Sequence, residues 1–232
     1  MKKFGIIKSE LTQLAIDNGL PDDIFRNCSG RAQLLAKVKS CFLSLYKLGV
    51  IDLVWLRDYY NEEDLNRQQI YTTGIVELSG EERVSYIIGD CHCVTSNATV
   101  YAFDAAHVKV FGTGKVYGYG HSHIKASSHA RVTAKDRCSV DAANFATVWS
   151  YDEAKVLVSD YAQVFVKSAG ETTLKCNSSA FFSHPDAVVE AGGYSTVHYG
   201  AIGSISICEC AVAVSNPLAE VAVGERLVYV RN

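Results

Sequence analysis

From Thr99 to Gly170 the chain divides without a gap into nine octads: TVYAFDAA, HVKVFGTG, KVYGYGHS, HIKASSHA, RVTAKDRC, SVDAANFA, TVWSYDEA, KVLVSDYA and QVFVKSAG. Position two is Val or Ile in all of them, position one is always polar, and position eight is always Ala, Gly, Ser or Cys. Position six holds only Asp, Gly, Ser or Asn, the residues that tolerate turn geometry. Alternation over positions one to five describes a short strand, with positions two and four on one side and one, three and five on the other. Positions six to eight turn the corner.

The register extends in both directions. CHCVTSNA (91–98) precedes the nine and ETTLKCNS (171–178) follows; after one extra residue, placed at Ser179, come AFFSHPDA, VVEAGGYS, TVHYGAIG, SISICECA and VAVSNPLA, ending at Ala219. One octad cannot bury its apolar side alone, so copies must stack as coils, which is the logic of a β-solenoid. The outward residues set the coil length. If sixteen residues make a coil, alternate octads share a face, and one face collects Tyr101, Phe103, Tyr117, Tyr119, Trp149, Tyr151 and Phe165, broken by Thr133 and Lys135. The other face carries Lys109, Phe111, Lys125, Ser127, Asp141, Ala143, Leu157 and Ser159. A coil of twenty-four mixes these sets and loses the contrast. The expectation is a mainly β, two-faced solenoid of octapeptide repeats with about 16 residues per coil, preceded by a small α-helical unit.

Residues 1–72 have a helical period. Leu11, Leu14, Ala15 and Leu20 precede or flank a stop at Asn18-Gly19. Ser29 is placed to cap one helix running to Gly49 through Leu34, Leu35, Val38, Phe42, Leu45, Tyr46 and Leu48. Asn61 and Asp64 resemble a capping box. The expected organisation is a helical unit at 1–72, a connecting or capping segment at 73–90, the solenoid at 91–219 and a closing strand at 220–232, where RLVYV covers the last rung.

The stretch SNATVYAF and the octads after it resemble the N-A-T-V-x-A octapeptide-repeat proteins of bacteria and phages, which also carry a short helical region ahead of the array. The resemblance covers 91–170 and implies the solenoid fold. It implies no activity.

Composition restricts the function classes. A formal net charge of -3 with 48% apolar residues describes a globular chain, neither a disordered tail nor a basic nucleic-acid binder. No apolar run reaches the roughly 20 residues of a membrane span, and the apolar stretch of MKKFGIIKSE stops at Ile7, too early for a secretory signal. The eight cysteines are then expected to be reduced and the protein cytoplasmic.

Several constellations invite chemistry. Cys91-His92-Cys93 with Cys208-Glu209-Cys210 has the look of a four-thiolate zinc site, but the register places the pairs about seven coils, roughly 34 Å, apart. His107 and His123 share position one sixteen residues apart, and His121 and His129 share position seven on opposite edges. Stacked imidazoles suit a metal or a pH sensor, solvated surface histidines being the ordinary alternative. Asp136 and Asp152 stack about 5 Å apart, the separation of a retaining glycosidase pair, in a column where turn residues are expected anyway. No phosphate loop, G-x-S-x-G or H-E-x-x-H motif is present. Large exposed apolar patches usually mark interfaces. The sequence therefore predicts a non-enzymatic structural or interaction protein without cofactor or metal. Its aromatic face docks a protein partner or a second copy. Glycan binding is the alternative, and a carbohydrate-active enzyme using the Asp pair comes third.

Overall fold

The computed structural model describes residues 3–80, 84–184, 186–200, 204–207 and 210–215. The chain forms two compact units, Met1–Thr72 and Thr73–Asn232. The first holds five helices, α1 (Phe4–Asp17), α2 (Arg31–Ser40), α3 (Phe42–Lys47), α4 (Leu53–Tyr59) and α5 (Glu62–Arg67). α1 ends where Gly19 takes a φ of 79°, and Asn61 Oδ1 accepts the Asp64 amide at 2.8 Å as the capping pattern requires. Two details differ from the sequence expectation. Gly30, not Ser29, is the N-cap of α2, the Gln33 side chain accepting instead from the Ser29 amide and hydroxyl. The single expected helix also breaks at Cys41, which leaves helical geometry while its thiol donates to the Lys37 carbonyl.

The second unit is a two-faced β-solenoid of about eight turns. One sheet contains, in order, Val84–Ile88, Thr99–Phe103, Lys115–Gly118, Arg131–Ala134, Thr147–Ser150, Gln163–Val166, Ser179–Phe182, Thr196–Tyr199 and Val212–Ser215. The other contains Ile75–Leu78, His92–Thr95, His107–Val110, His123–Ala126, Ser139–Ala142, Lys155–Val158, Gly170–Leu174, Ala187–Ala191 and Ser204–Ile207. All these pairings are parallel. Val132, Val148 and Val164 stand in register on one sheet, and Ile124, Val140 and Val156 on the other. The coil is therefore sixteen residues.

Why these octads make this coil follows from three positions. Position two and position four side chains point inward and are buried, Val100, Val116, Val132, Val148 and Val164 among them. Position eight sits where the chain bends over the core edge, and Ala106, Ala130, Ala146 and Ala162 are fully buried there. Room is tight there: a Cβ added at Gly170 lies 2.8 Å from the Ala154 carbonyl oxygen. Position six takes the left-handed conformation, with φ of 56° at Asp104, 57° at Asp136, 58° at Asn144 and 57° at Asp152. Gly, Asn and Asp visit that region at the lowest cost, which explains why they predominate in the column; Ser128 takes it too, at a φ of 59°. The corner is a β-turn in which the position eight amide donates to the position five carbonyl, as Ala146 does to Ala143 at 3.2 Å.

The register departs from the sequence expectation at three places. The ladder begins before residue 91, because Ile75–Leu78 pairs with His92–Thr95 and Val84–Ile88 pairs with Thr99–Phe103. In the stretch 91–98 it is His92, not Cys91, that occupies position one, opposite His107. That corner is one residue short, and Asn97 Oδ1 compensates by accepting from the Thr113 amide at 3.2 Å and its hydroxyl at 3.1 Å. Finally, Ser179 is not the extra residue. It pairs with Gln163 at position one, and the insertion falls in the corner between Phe182 and Ala187. An insertion inside a strand turns every following side chain to the opposite face, whereas a corner absorbs it. The expected closing strand at 220–232 lies outside the described residues.

Candidate functional site

Position three of the aromatic sheet builds one continuous column. Tyr86, Tyr101, Tyr117, Thr133, Trp149, Phe165, Phe181 and His198 follow one another in register. Their rings stack plane on plane: Tyr86 on Tyr101 at 5.3 Å, Tyr101 on Tyr117 at 4.7 Å, Trp149 on Phe165 at 5.8 Å, Phe165 on Phe181 at 5.0 Å and Phe181 on His198 at 4.6 Å. The interplanar angles run from 4° to 21°. Thr133 alone interrupts the run. Because the rungs lie about 4.8 Å apart, ring faces are covered by their neighbours except where Tyr117 and Trp149 border Thr133, and the column otherwise shows solvent mainly ring edges.

Four of the seven sequence-derived site residues, Tyr101, Tyr117, Trp149 and Phe165, are half-buried members of this column. Tyr151 is half-buried beside it at position five, with the Lys135 ammonium 5.2 Å above its ring. Phe103 and Tyr119 are a correction: they are buried, 0% and 5% exposed, and stack on each other at 5.1 Å. Position five opens the corner turn, since the Phe103 carbonyl accepts the Ala106 amide, and its side chain is freed from the strand alternation that keeps positions one and three outside. Burial raises the Tyr119 pKa to about 12, with smaller contributions from Tyr101, Asp136 and Tyr117. Burial, then Tyr117, also raises that of Tyr101.

Sequence reasoning missed Tyr86, Phe181 and His198. Tyr86 precedes the assumed start of the array. Phe181 was displaced by putting the extra residue at Ser179; the signal for the right placement is the SHPD run in the sequence, since Ser and Pro are residue types that suit a corner better than a strand. His198 was legible as position three of TVHYGAIG. A second ring column, on the corner between the faces, also escaped notice: His129, Phe145 and Tyr161 at position seven stack at 5.4 and 5.6 Å, and Phe145 and Tyr161 are over half exposed.

The charges on the aromatic sheet have one sign. At positions one, three and five, from Val84 to Gly200, the ionised residues are Lys115, Arg131, Lys135 and Lys167, and none is a carboxylate. The opposite sheet mixes signs, with Lys155 paired to Glu171 at 2.7 Å. It also carries a three-histidine stack, His92 on His107 at 4.7 Å and His107 on His123 at 5.3 Å. Partial burial lowers the His107 pKa, the His92 and His123 charges lower it further, and Asp90 opposes them.

The other constellations have structural uses. Asp136 Oδ2 accepts the Gly120 amide at 3.0 Å and Asp152 Oδ2 accepts the Asp136 amide at 3.1 Å, so each carboxylate braces the corner of the preceding coil. His92 and Cys93 point to opposite sides of one strand, His92 exposed and Cys93 in the core, and so cannot share a metal. Burial, then Cys91, pushes the Cys93 thiol up to about 12. Cys208 and Glu209 lie outside the described residues. Among the described residues no group of three His, Cys, Asp or Glu side chains is placed to hold a metal ion, and no helix is long and apolar enough to cross a membrane.

Comparison of the chain with protein-family models, with curated proteins and with solved structures finds no match.

Proposed function

We propose that the protein is a non-enzymatic docking scaffold, and that the aromatic sheet of its solenoid binds an acidic surface of a protein partner. The carrying observation is the combination of the ring column with cations alone on the same sheet. Interfaces are enriched in aromatic residues and Arg, and complementary charge steers and selects partners. Self-association through this sheet is the weaker form of the reading, because a two-fold contact brings the same patch against itself and so sets Lys115, Arg131, Lys135 and Lys167 against their own copies.

The glycan alternative has less support. Sugar stacking needs an open ring face, and along most of the column the faces cover one another; the Tyr117 and Trp149 faces beside Thr133 are open, but the cations around them favour an anionic guest over a neutral sugar. The enzymatic reading has less still, since both Asp carboxylates already serve the backbone. The described cysteines stand as free thiols, which suits a reducing, cytoplasmic setting.

The test is capture from the native cell with three baits: wild type, Tyr117→Ala/Trp149→Ala, and a control on the opposite sheet, Lys109→Ala/Lys125→Ala. A prey held by wild type and control but lost by the aromatic variant supports docking on this sheet. The same prey on all three baits contradicts it. Binding to a glycan array that disappears in Trp149→Ala transfers the site to carbohydrate.

A further inference from the structure

The break in the ring column is the most specific feature of this face. In Cα register Tyr117 pairs with Thr133 and Thr133 with Trp149. Two rungs separate the flanking rings, roughly 9.6 Å. A ring held midway lies about 4.8 Å from each, inside the 4.6 to 5.8 Å range of the column's own stacks. The interruption is thus one ring thick. Thr133 forms its half-buried floor, and among the described residues Tyr117 and Trp149 have stacking partners only on their far sides, Tyr101 and Phe165.

The surroundings of the gap are cationic. Arg131 lies on the strand of Thr133, Lys135 follows directly after that strand ends at Ala134, and Lys115 stands beside Arg131 on the next rung. Two exposed cations of the solenoid meet carboxylates, Arg137 with Glu153 and Lys155 with Glu171; among the described residues Lys115 and Arg131, like Lys109 and Lys125 on the opposite sheet, have no such pair. A planar cation is repelled here, which leaves an aromatic group accompanied by negative charge. A nucleic-acid strand presents base after base and uses successive stacking platforms, whereas this column offers one opening of one ring.

Resting on the docking reading above, the geometry points to the gap over Thr133 as a receptor site that takes a single aromatic side chain of the partner between Tyr117 and Trp149, with a neighbouring partner carboxylate held by Arg131 and Lys115. The guest ring completes the stack across its break.

The experiment is a proton NMR titration of the full chain with three blocked tripeptides, Asp-Tyr-Asp, Asp-Leu-Asp and Lys-Tyr-Lys, and with adenosine monophosphate. The Asp-Tyr-Asp ring protons are expected to move upfield, with binding about tenfold tighter than either other peptide, the worth of stacking on two ring faces. Thr133→Tyr, which fills the gap with the chain's own ring, is expected to abolish that binding and to melt no lower than wild type, while Thr133→Ser keeps the binding. Equal binding of Asp-Leu-Asp, or undiminished binding by Thr133→Tyr, overturns the site. Tighter binding of the nucleotide than of any peptide overturns the peptide assignment. A Thr133→Tyr variant that melts well below wild type overturns the ring-sized gap. The two proposals fail separately: a prey lost by the Tyr117/Trp149 variant but kept by Thr133→Tyr leaves docking standing without the gap, and Asp-Tyr-Asp binding without any such prey leaves the gap standing without docking.

Discussion

Asp152 Oδ2 accepts the backbone amide of Asp136 from the adjacent coil, 3.1 Å away, while Asp152 itself holds a left-handed φ of 57°. One side chain therefore meets two needs of the corner: it satisfies an amide and it tolerates a conformation that branched or larger residues resist. Asp152→Asn preserves both, and its unfolding free energy is expected to match wild type. Asp152→Ala loses the acceptor and strains the backbone, at a cost of roughly 2 kcal/mol, measured by urea denaturation. Equal stability of the two variants contradicts this account of the corner. Polysaccharide hydrolysis abolished by Asp152→Asn overturns the non-enzymatic reading.

Burial of position two carries the second prediction. Val140 is 1% exposed between Ile124 and Val156. Val140→Asp removes burial worth roughly 1.5 kcal/mol or more and leaves an unpaired charge inside. A large drop in melting temperature is expected; an unchanged one means the inward positions are misassigned.

How much of this was legible in the sequence depends on which residues set the period. Val116, Val132, Val148 and Val164 recur because position two faces the core, where apolar side chains predominate, and Asp104, Asp136 and Asn144 recur because φ is positive, so coil length, faces and corners all follow from composition by position. The breaks in register were not legible in the same way. Asn97 closes a short corner by a side-chain bond across sixteen residues to Thr113, and a linear pattern does not encode such a partner. Phe103 and Tyr119 were misplaced because position five belongs to the turn as much as to the strand. The column of Tyr101, Tyr117, Trp149 and Phe165 was foreseen as a set, but the plane-to-plane stacking that closes their faces, and makes Thr133 a gap, emerges only in three dimensions.

The histidine stack predicts a pH dependence. The His107 pKa is depressed in the folded chain, so the unfolded chain binds the proton more readily. Its contribution to stability is then complete above the unfolded value near 6.5 and is lost as pH falls through the lower folded value. Melting temperature is expected to decline on acidification below about 6.5, and His107→Gln to flatten that decline. NMR titration giving His107 a pKa above that of an unstructured peptide contradicts the prediction.

Thiol accessibility separates core from corner cysteines. Cys176 and Cys210 are exposed, whereas Cys91, Cys93 and Cys138 are buried, and burial pushes the Cys138 thiol up to about 12. Alkylation at neutral pH, mapped by mass spectrometry, is expected to label Cys176 and Cys210 first and the buried three only on unfolding. Early labelling of Cys93 or Cys138 contradicts their place in the core.

Methyl contacts along position two give the most direct measurement of the coil itself. In a Val- and Ile-labelled sample, NOEs are expected to link Val132 to Val148 to Val164 and Ile124 to Val140 to Val156, because equivalent side chains recur at every second octad. A series running Val116 to Val140 to Val164 in their place means three octads per turn; the rings then fall on different flanks, and neither a single aromatic sheet nor a gap within it survives.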